Sequence, residues 1–288
     1  MFSDKGNSEY FTKKNQRRGN LANKHKFGKP KRNNFKKDGN SKSSKLIDVY
    51  EDTKEYFSSI DPSTIKNSEL IDIFNLTVHI EDDRETFNTN YVVDDKDTLD
   101  MAIEFCDEGL NPLVLSMASD YKPGGGVRSS KTAQEECIFR RTNAFMTHNE
   151  EWYPLQENQI IYSPEVMIIK DKNYEMMDKD DHKIISLIAI AAIRQPNLKY
   201  GELYYDEDRK LMMDKIESIF KVALKEGHDS LVLGALGCGA FGNPPFEVSS
   251  IYKTLIKYYG KYFKKIGFAI LCVKESDSKN LFAFKNIH

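Results

Sequence analysis

The chain has few cysteines, and none of them stands beside another in a metal- or disulfide-forming pattern. Cys106, Cys137, Cys238 and Cys272 form no CxxC pair, and no histidine lies near them at zinc-ligand spacing. That excludes a zinc ribbon and a disulfide framework, and a reducing compartment is the simplest setting. Long apolar runs are also missing. No stretch is long enough to cross a membrane, and the N-terminal region lacks the continuous apolar core of a secretory signal. The expectation is a protein of the cytoplasm or nucleus, with no membrane partner. No internal repeat is present, and no linker after residue 45 demands a second folded domain.

The formal net charge of −2 hides an asymmetry: residues 1–45 carry fourteen Lys/Arg against three Asp/Glu, and the remainder carries 28 against 41. The first 45 residues are rich in Lys, Asn, Gly and Ser, with few large apolar side chains. Such a segment cannot bury enough apolar surface to offset its ordering entropy, so a disordered basic tail is expected over 1–45. Its "KPKR" (Lys29 to Arg32) and Arg17–Arg18 suit a nuclear address or contact with a polyanion such as nucleic acid. A solubilising tail without a specific partner is the plainer alternative.

From residue 46 to 288 the pattern is that of one folded domain, with 46–90 as an N-terminal helical extension. "SKLIDVYEDTKEYFSSI" has a helical stripe in Leu46, Val49, Tyr50, Phe57 and Ile60. Residues 65–90 are ambiguous, and "TNYVVDD" reads as a short strand. "DTLDMAIEFCDEG" reads as a helix capped by Asp97 or Thr98 and stopped by Gly109. Then strands over 112–118, 160–170, 183–193, 230–236 and 266–273 alternate with helices over 132–146, 209–226 and 245–259. That alternation predicts an α/β fold, a mixed and largely parallel sheet flanked by helices.

In such a sheet, ligands bind beyond the carboxyl ends of the strands. Two glycine-rich loops fall at such places: "KPGGG" (Lys122 to Gly126) and "GALGCGAFGNPP" (Gly234 to Pro245). Glycines allow backbone N–H groups to converge on an anion, and a following helix adds a favourable dipole. Each loop alone is as easily a tight turn; the pair suits a diphosphate gripped from both sides. Gly237, Gly239 and Gly242 also match GxGxxG, the dinucleotide fingerprint of an oxidoreductase. Against that stand the motif's place near the C-terminus, two prolines directly after it, and no acidic residue about twenty positions on.

Seven residues after the GGG run comes Gln134-Glu135-Glu136. Thr132 and Glu135 fit a capping box, and both glutamates complement a helix dipole. Close to a bound sugar phosphate, the same carboxyls are placed for glycosidic acid or base chemistry.

GGG, seven residues, then QEE resembles the signature of poly(ADP-ribose) glycohydrolases, which are built on a macrodomain; the likeness is to the microbial-type members. It continues in "YSPEV" (Tyr162 to Val166), "LVLGALGCGAFGNPP", "EVSSIYKTL" and "FAILCV", and runs from about residue 90 to 275. The resemblance implies a three-layer macrodomain-like fold and hydrolysis of poly(ADP-ribose) at ribose–ribose bonds, with ADP-ribosylated proteins as partners and neither cofactor nor metal. It implies Glu136 as the acid that protonates the leaving ribose oxygen and Glu135 as the group that holds that ribose. Gln134, Gly124, Gly125, Gly126 and Val127 would shape the pocket around the diphosphate. Gly237, Cys238, Gly239 and Ala240, with Asn243, would form the second diphosphate loop. Phe241 would pack on the terminal ribose, and Asp97 would read the adenine amino group. The sequence departs from the usual family pattern at Ser116–Met117, where Asn-Phe is common, and at Ser129 to Thr132, which lacks a glycine. A non-catalytic ADP-ribose reader needs only the fold and the loops; the glutamate pair favours the enzyme.

Overall fold

The computed structural model describes residues 40–285 and 287. The tail as far as Gly39, with its two basic motifs, lies outside the described residues. Helix α1 (Asn40–Phe57) begins inside the segment assigned to the tail.

Seven strands form one sheet. In chain order they are β1 (Glu69–Asp72), β2 (Asn90–Asp94), β3 (Pro112–Met117), β4 (Gln159–Ile168), β5 (Lys183–Ile190), β8 (Ser230–Leu233) and β9 (Lys265–Ala269); β6 (Leu198–Lys199) and β7 (Leu203–Tyr204) make a separate two-stranded ribbon. The spatial order is β1-β4-β5-β3-β8-β9-β2. The five strands from β5 to β2 run parallel, and β4 and β1 continue antiparallel at one edge. The largely parallel sheet expected from the sequence is therefore present. The ambiguous stretch 65–90 contains an edge strand, so the N-terminal extension is not wholly helical. Its four residues are too short to show a period of their own and are fixed by pairing with β4, Leu70 opposite Ile161.

Alternate residues of the central strands feed two cores. On one face Leu113, Leu115, Ile188, Ile190, Leu231 and Leu233 pack with Met212, Ile216, Phe220, Val248, Tyr252 and Phe284. These last come from α4 (Asp206–Lys225), α5 (Pro245–Tyr259) and α6 (Ser278–Phe284). On the other face Val114, Leu187 and Val232 meet Tyr50, Leu99, Phe105, Ile138 and Phe139. Those belong to α1, α2 (Thr98–Asp107) and α3 (Gln134–Arg141). Covered on both faces, the strands need apolar side chains at every position, which explains their continuous apolar runs. Gly267 fits this packing closely, since a Cβ there would meet Met101 Sδ at 2.5 Å.

Several elements end before the sequence suggests, β3, β4 and β5 at Met117, Ile168 and Ile190. Strands β8 and β9 end at Leu233 and Ala269, where the chain leaves the sheet to line the ligand-facing edge. Helix α3 covers 134–141 rather than 132–146. Thr142 turns to extended backbone, bridges to Ile168 and donates its hydroxyl to the Ile138 carbonyl at 2.9 Å. A β-branched residue that can satisfy a helix carbonyl and start a bridge ends the helix.

Candidate active site

The carboxyl ends of β3, β5, β8 and β9 open on a cleft of about 290 Å³. Its walls are Lys96 to Thr98 before and at the start of α2, Met117 and Ala118 at the end of β3, Thr132 to Gln134 at the start of α3, and the loop after β8. Ile270, Leu271 and Val273 after β9, with Asp277 and Asn280, close the remaining side. This is the edge at which ligands bind in open α/β sheets.

The first glycine loop does not offer its N–H groups to the cleft. Gly124 N donates to Glu135 Oε1 at 3.1 Å, and Gly126 N donates to Glu136 Oε1 at 2.7 Å. Gly125 N and Val127 N close turns on the carbonyls of Lys122 and Gly124. Ser119 N completes the set, donating to Glu135 Oε2 at 2.8 Å. The phosphate-cradle reading of Gly124, Gly125, Gly126 and Val127 is therefore corrected: their amides are taken by the glutamates and by the loop itself. Gly124 and Gly125 have φ of 67° and 52°, a region costly for side-chain-bearing residues. A Cβ on Gly125 would lie 2.9 Å from Glu136 Oε1 and 3.0 Å from Glu135 Oε2. The run of glycines exists so that two carboxyls can close on the backbone.

The capping-box reading is also corrected. The N-cap of α3 is Ala133, without a side-chain hydrogen bond, and Glu135 turns to the loop instead of its own helix start. Both glutamates are buried, at 3 % and 5 % exposure, and neither lines the cleft directly. Burial pushes the Glu135 carboxyl up to about 8, with the neighbouring charge of Glu136 adding to it; the Ser119 and Gly124 N–H groups pull the other way. Glu136 Oε2 is buried with no hydrogen-bond partner among the described residues. Such an orphaned oxygen costs about 1–3 kcal/mol and calls for a functional reason.

Gln134 ties the start of α3 to the end of β3. Its Oε1 accepts from Met117 N at 2.6 Å, and its Nε2 donates to Leu115 O at 2.7 Å. That bond aligns the glutamates with the strand end, and Gln134 also lines the cleft. Asp97 also lines the cleft, next to Thr98, whose hydroxyl accepts from Gln134 Nε2 at 3.0 Å. Asp97 Oδ1 caps α2 through Leu99 N and Asp100 N and pairs with Arg141 at 2.6 Å, so the carboxylate is held in one orientation.

The second loop differs. The N–H groups of Gly239, Ala240 and Phe241 donate to no acceptor among the described residues. Asn243 fixes the loop from behind, donating to Ile193 O at 2.7 Å and Gly237 O at 3.1 Å and accepting from Tyr204 at 2.7 Å. Asn243 and Cys238 therefore support the loop and do not line the cleft. The asparagine amide is turned to the backbone, and the thiol lies against Leu236 O. Gly237, Gly239, Ala240 and Phe241 do line it. Sequence reasoning missed the link between the loops: Asp120 pairs with Arg194, whose guanidinium lies 4.0 Å above the Phe241 ring, and Gln195 holds the Phe241 and Ala240 carbonyls. An arginine and a glutamine directly after the apolar run of β5 were the available signal.

Residues 31–171 match the family model described as the microbial-type PARG catalytic domain. Among solved structures, the poly(ADP-ribose) glycohydrolase (PARG) of Thermomonospora curvata is similar, with a TM-score of 0.72 and 22 % identity over 85 % of this chain and 100 % of that one. The same enzyme bound to the inhibitor ADP-HPD gives 0.71 at 22 % identity, over 84 % and 98 %. PARG from Deinococcus radiodurans in complex with ADP-ribose gives 0.64 at 21 % identity, over 79 % and 97 %. At these identities the likeness to the solved structures is one of fold. No curated protein matches the chain. The part of the chain that matches this family model, residues 31–171, carries the glutamate pair and the loop that holds it.

Proposed function

We propose that this protein hydrolyses ribose–ribose O-glycosidic bonds of poly(ADP-ribose) and releases ADP-ribose, with Glu136 as the general acid. The observation that carries this reading is Glu136 Oε2, a buried carboxyl oxygen beside the cleft with no partner of its own. Burial pushes the Glu135 carboxyl up to about 8, so that carboxyl holds a proton at neutral pH. Both Glu135 oxygens accept N–H groups, whereas Glu136 Oε2 has no competing bond and is the oxygen left open to the substrate.

The reaction then balances. The Glu136 proton moves to the leaving ribose oxygen as the anomeric C–O bond breaks, and the sugar passes through an oxocarbenium-like state. Water adds to the anomeric carbon and returns a proton to the carboxyl pair. Glu135 holds the departing ribose with its remaining lone pairs. The free N–H groups of Gly239, Ala240 and Phe241 receive the diphosphate, Phe241 packs on the terminal ribose, and Asp97 reads the adenine amino group. ADP-ribosylated proteins are the partners this chemistry serves. The basic N-terminal segment adds contact with the polyanionic chain, or a nuclear address.

The test is incubation of poly(ADP-ribose) with wild type and with Glu136→Gln. ADP-ribose release by wild type alone is the expected result; release by both, or by neither, overturns the assignment. Binding of ADP-ribose without cleavage by either protein would identify a reader. For the tail, deletion of residues 1–39 is expected to weaken long-polymer binding and flatten its salt dependence; an unchanged affinity removes the role.

A further inference from the structure

We infer that Arg140 is a positioning residue for the proposed glycosidic chemistry, acting through the backbone of the first glycine loop on Glu136; the inference rests on the function proposed above. Arg140 is fully buried, at 0 % exposure. Its bonds go to backbone oxygens: Nη2 donates to Val127 O at 3.1 Å and Ser129 O at 2.9 Å, and Nε donates to Leu46 O at 3.2 Å. A buried guanidinium without an ion pair is expensive, and a core position alone would be filled more cheaply by an apolar side chain. The expense has a geometric return. Arg140 lies one helical turn after Glu136 on α3, so the same short helix grips the loop twice. Its glutamates take the loop's N–H groups at Gly124 and Gly126, and its arginine takes the carbonyls at Val127 and Ser129.

The segment between those two grips is only a few residues long. Moving the Val127 and Ser129 carbonyls therefore moves the Gly126 N–H that orients Glu136. The third bond, to Leu46 O, fastens α1 to the same point. Two more contacts secure α1 there: Thr53 Oγ1 donates to the Arg140 carbonyl at 2.6 Å, and Lys170 Nζ donates to Val49 O at 2.9 Å. Helix α1 is thereby part of the scaffold of the acid. A guanidinium meets this need because its planar fork serves three acceptors in fixed directions, which an ammonium cannot do.

The test compares wild type, Arg140→Lys and Arg140→Met in hydrolysis of poly(ADP-ribose), with ADP-ribose affinity measured by calorimetry and the folded fraction by thermal melt. Misplacement of an acid by about 1 Å costs on the order of 10²-fold in rate. The expected result is a kcat lower by about 10- to 100-fold in both variants, with KM and ADP-ribose affinity within about threefold and lysine retaining more activity than methionine. Wild-type kcat in a folded Arg140→Met would overturn the inference, as would a loss of kcat and affinity together. Failure of both variants to fold would assign Arg140 to the core alone. An inactive wild type would instead overturn the proposed function.

Discussion

The two glycine-rich loops leave the same edge of the sheet and look alike in composition, yet their N–H groups serve opposite ends. In the loop at Gly124–Gly126 the amides point inward and hold two carboxylates. In the loop at Gly237–Phe241 three consecutive amides have no acceptor among the described residues, and the supporting bonds come from Asn243 and Gln195 behind. Glycine content therefore does not identify an anion cradle; what matters is whether the N–H groups already have acceptors. An acid pair nearby consumes donors, and a loop without one leaves them for a ligand.

Glu136→Gln, which removes the proposed proton donor and leaves both loops in place, is the largest effect expected. Turnover of poly(ADP-ribose) should fall by about 10²–10⁴-fold, the usual range for a general acid, with ADP-ribose affinity nearly unchanged in a calorimetric titration. Gly125→Ala comes next. Its new Cβ would crowd both carboxylates at a positive φ, so kcat should drop by about 10- to 100-fold and the melting temperature should fall as well. In the second loop, Gly237→Ala places a Cβ 2.4 Å from Ala192 Cβ and Asn243 Nδ2. That should displace the free amides and weaken ADP-ribose binding by about tenfold or more, roughly one lost charge-assisted bond. Gly239→Ala meets nothing within 4 Å and should leave the melting temperature unchanged.

The smallest effect concerns pH. The Glu135 carboxyl ionises near its ordinary value in the unfolded chain and only near 8 in the folded one. Between those values the folded state binds more protons, so the Glu135 contribution makes stability fall as pH rises through that window. Melting temperatures from pH 5 to 9 should decline in wild type by a few degrees more than in Glu135→Gln, at about 2–4 °C per kcal/mol for a domain of this size. Equal slopes would show that burial does not hold the proton.

Much of the fold was legible because its elements carry strong local signals. Helix α5 runs from Pro245 to Tyr259 as read, since proline suits a first helical turn, and α2 is capped by Asp97 and stopped by Gly109. Strand β1 was not legible, because four residues paired at an edge have no pattern of their own. The end of α3 was missed because Thr142 leaves the helix for a tertiary reason, its bridge to Ile168. In the site, spacing brought Glu135 and Glu136 into view, but not their partners. The capping box and the phosphate cradle were both sound local rules, and both were overridden by contacts between the loop and the helix that follows it. Arg140 and Arg194 act on distant backbone or rings, which sequence spacing does not display.

The division of labour between the loops is tested most directly by measuring single-turnover cleavage of poly(ADP-ribose) and ADP-ribose affinity on Gly125→Ala and Gly237→Ala side by side. The predicted result is a crossed pattern: the rate falls in Gly125→Ala with affinity kept, and affinity falls in Gly237→Ala with the saturated rate kept. Loss of affinity in Gly125→Ala equal to that in Gly237→Ala would contradict it, because the first loop would then hold the ligand as well as the acid.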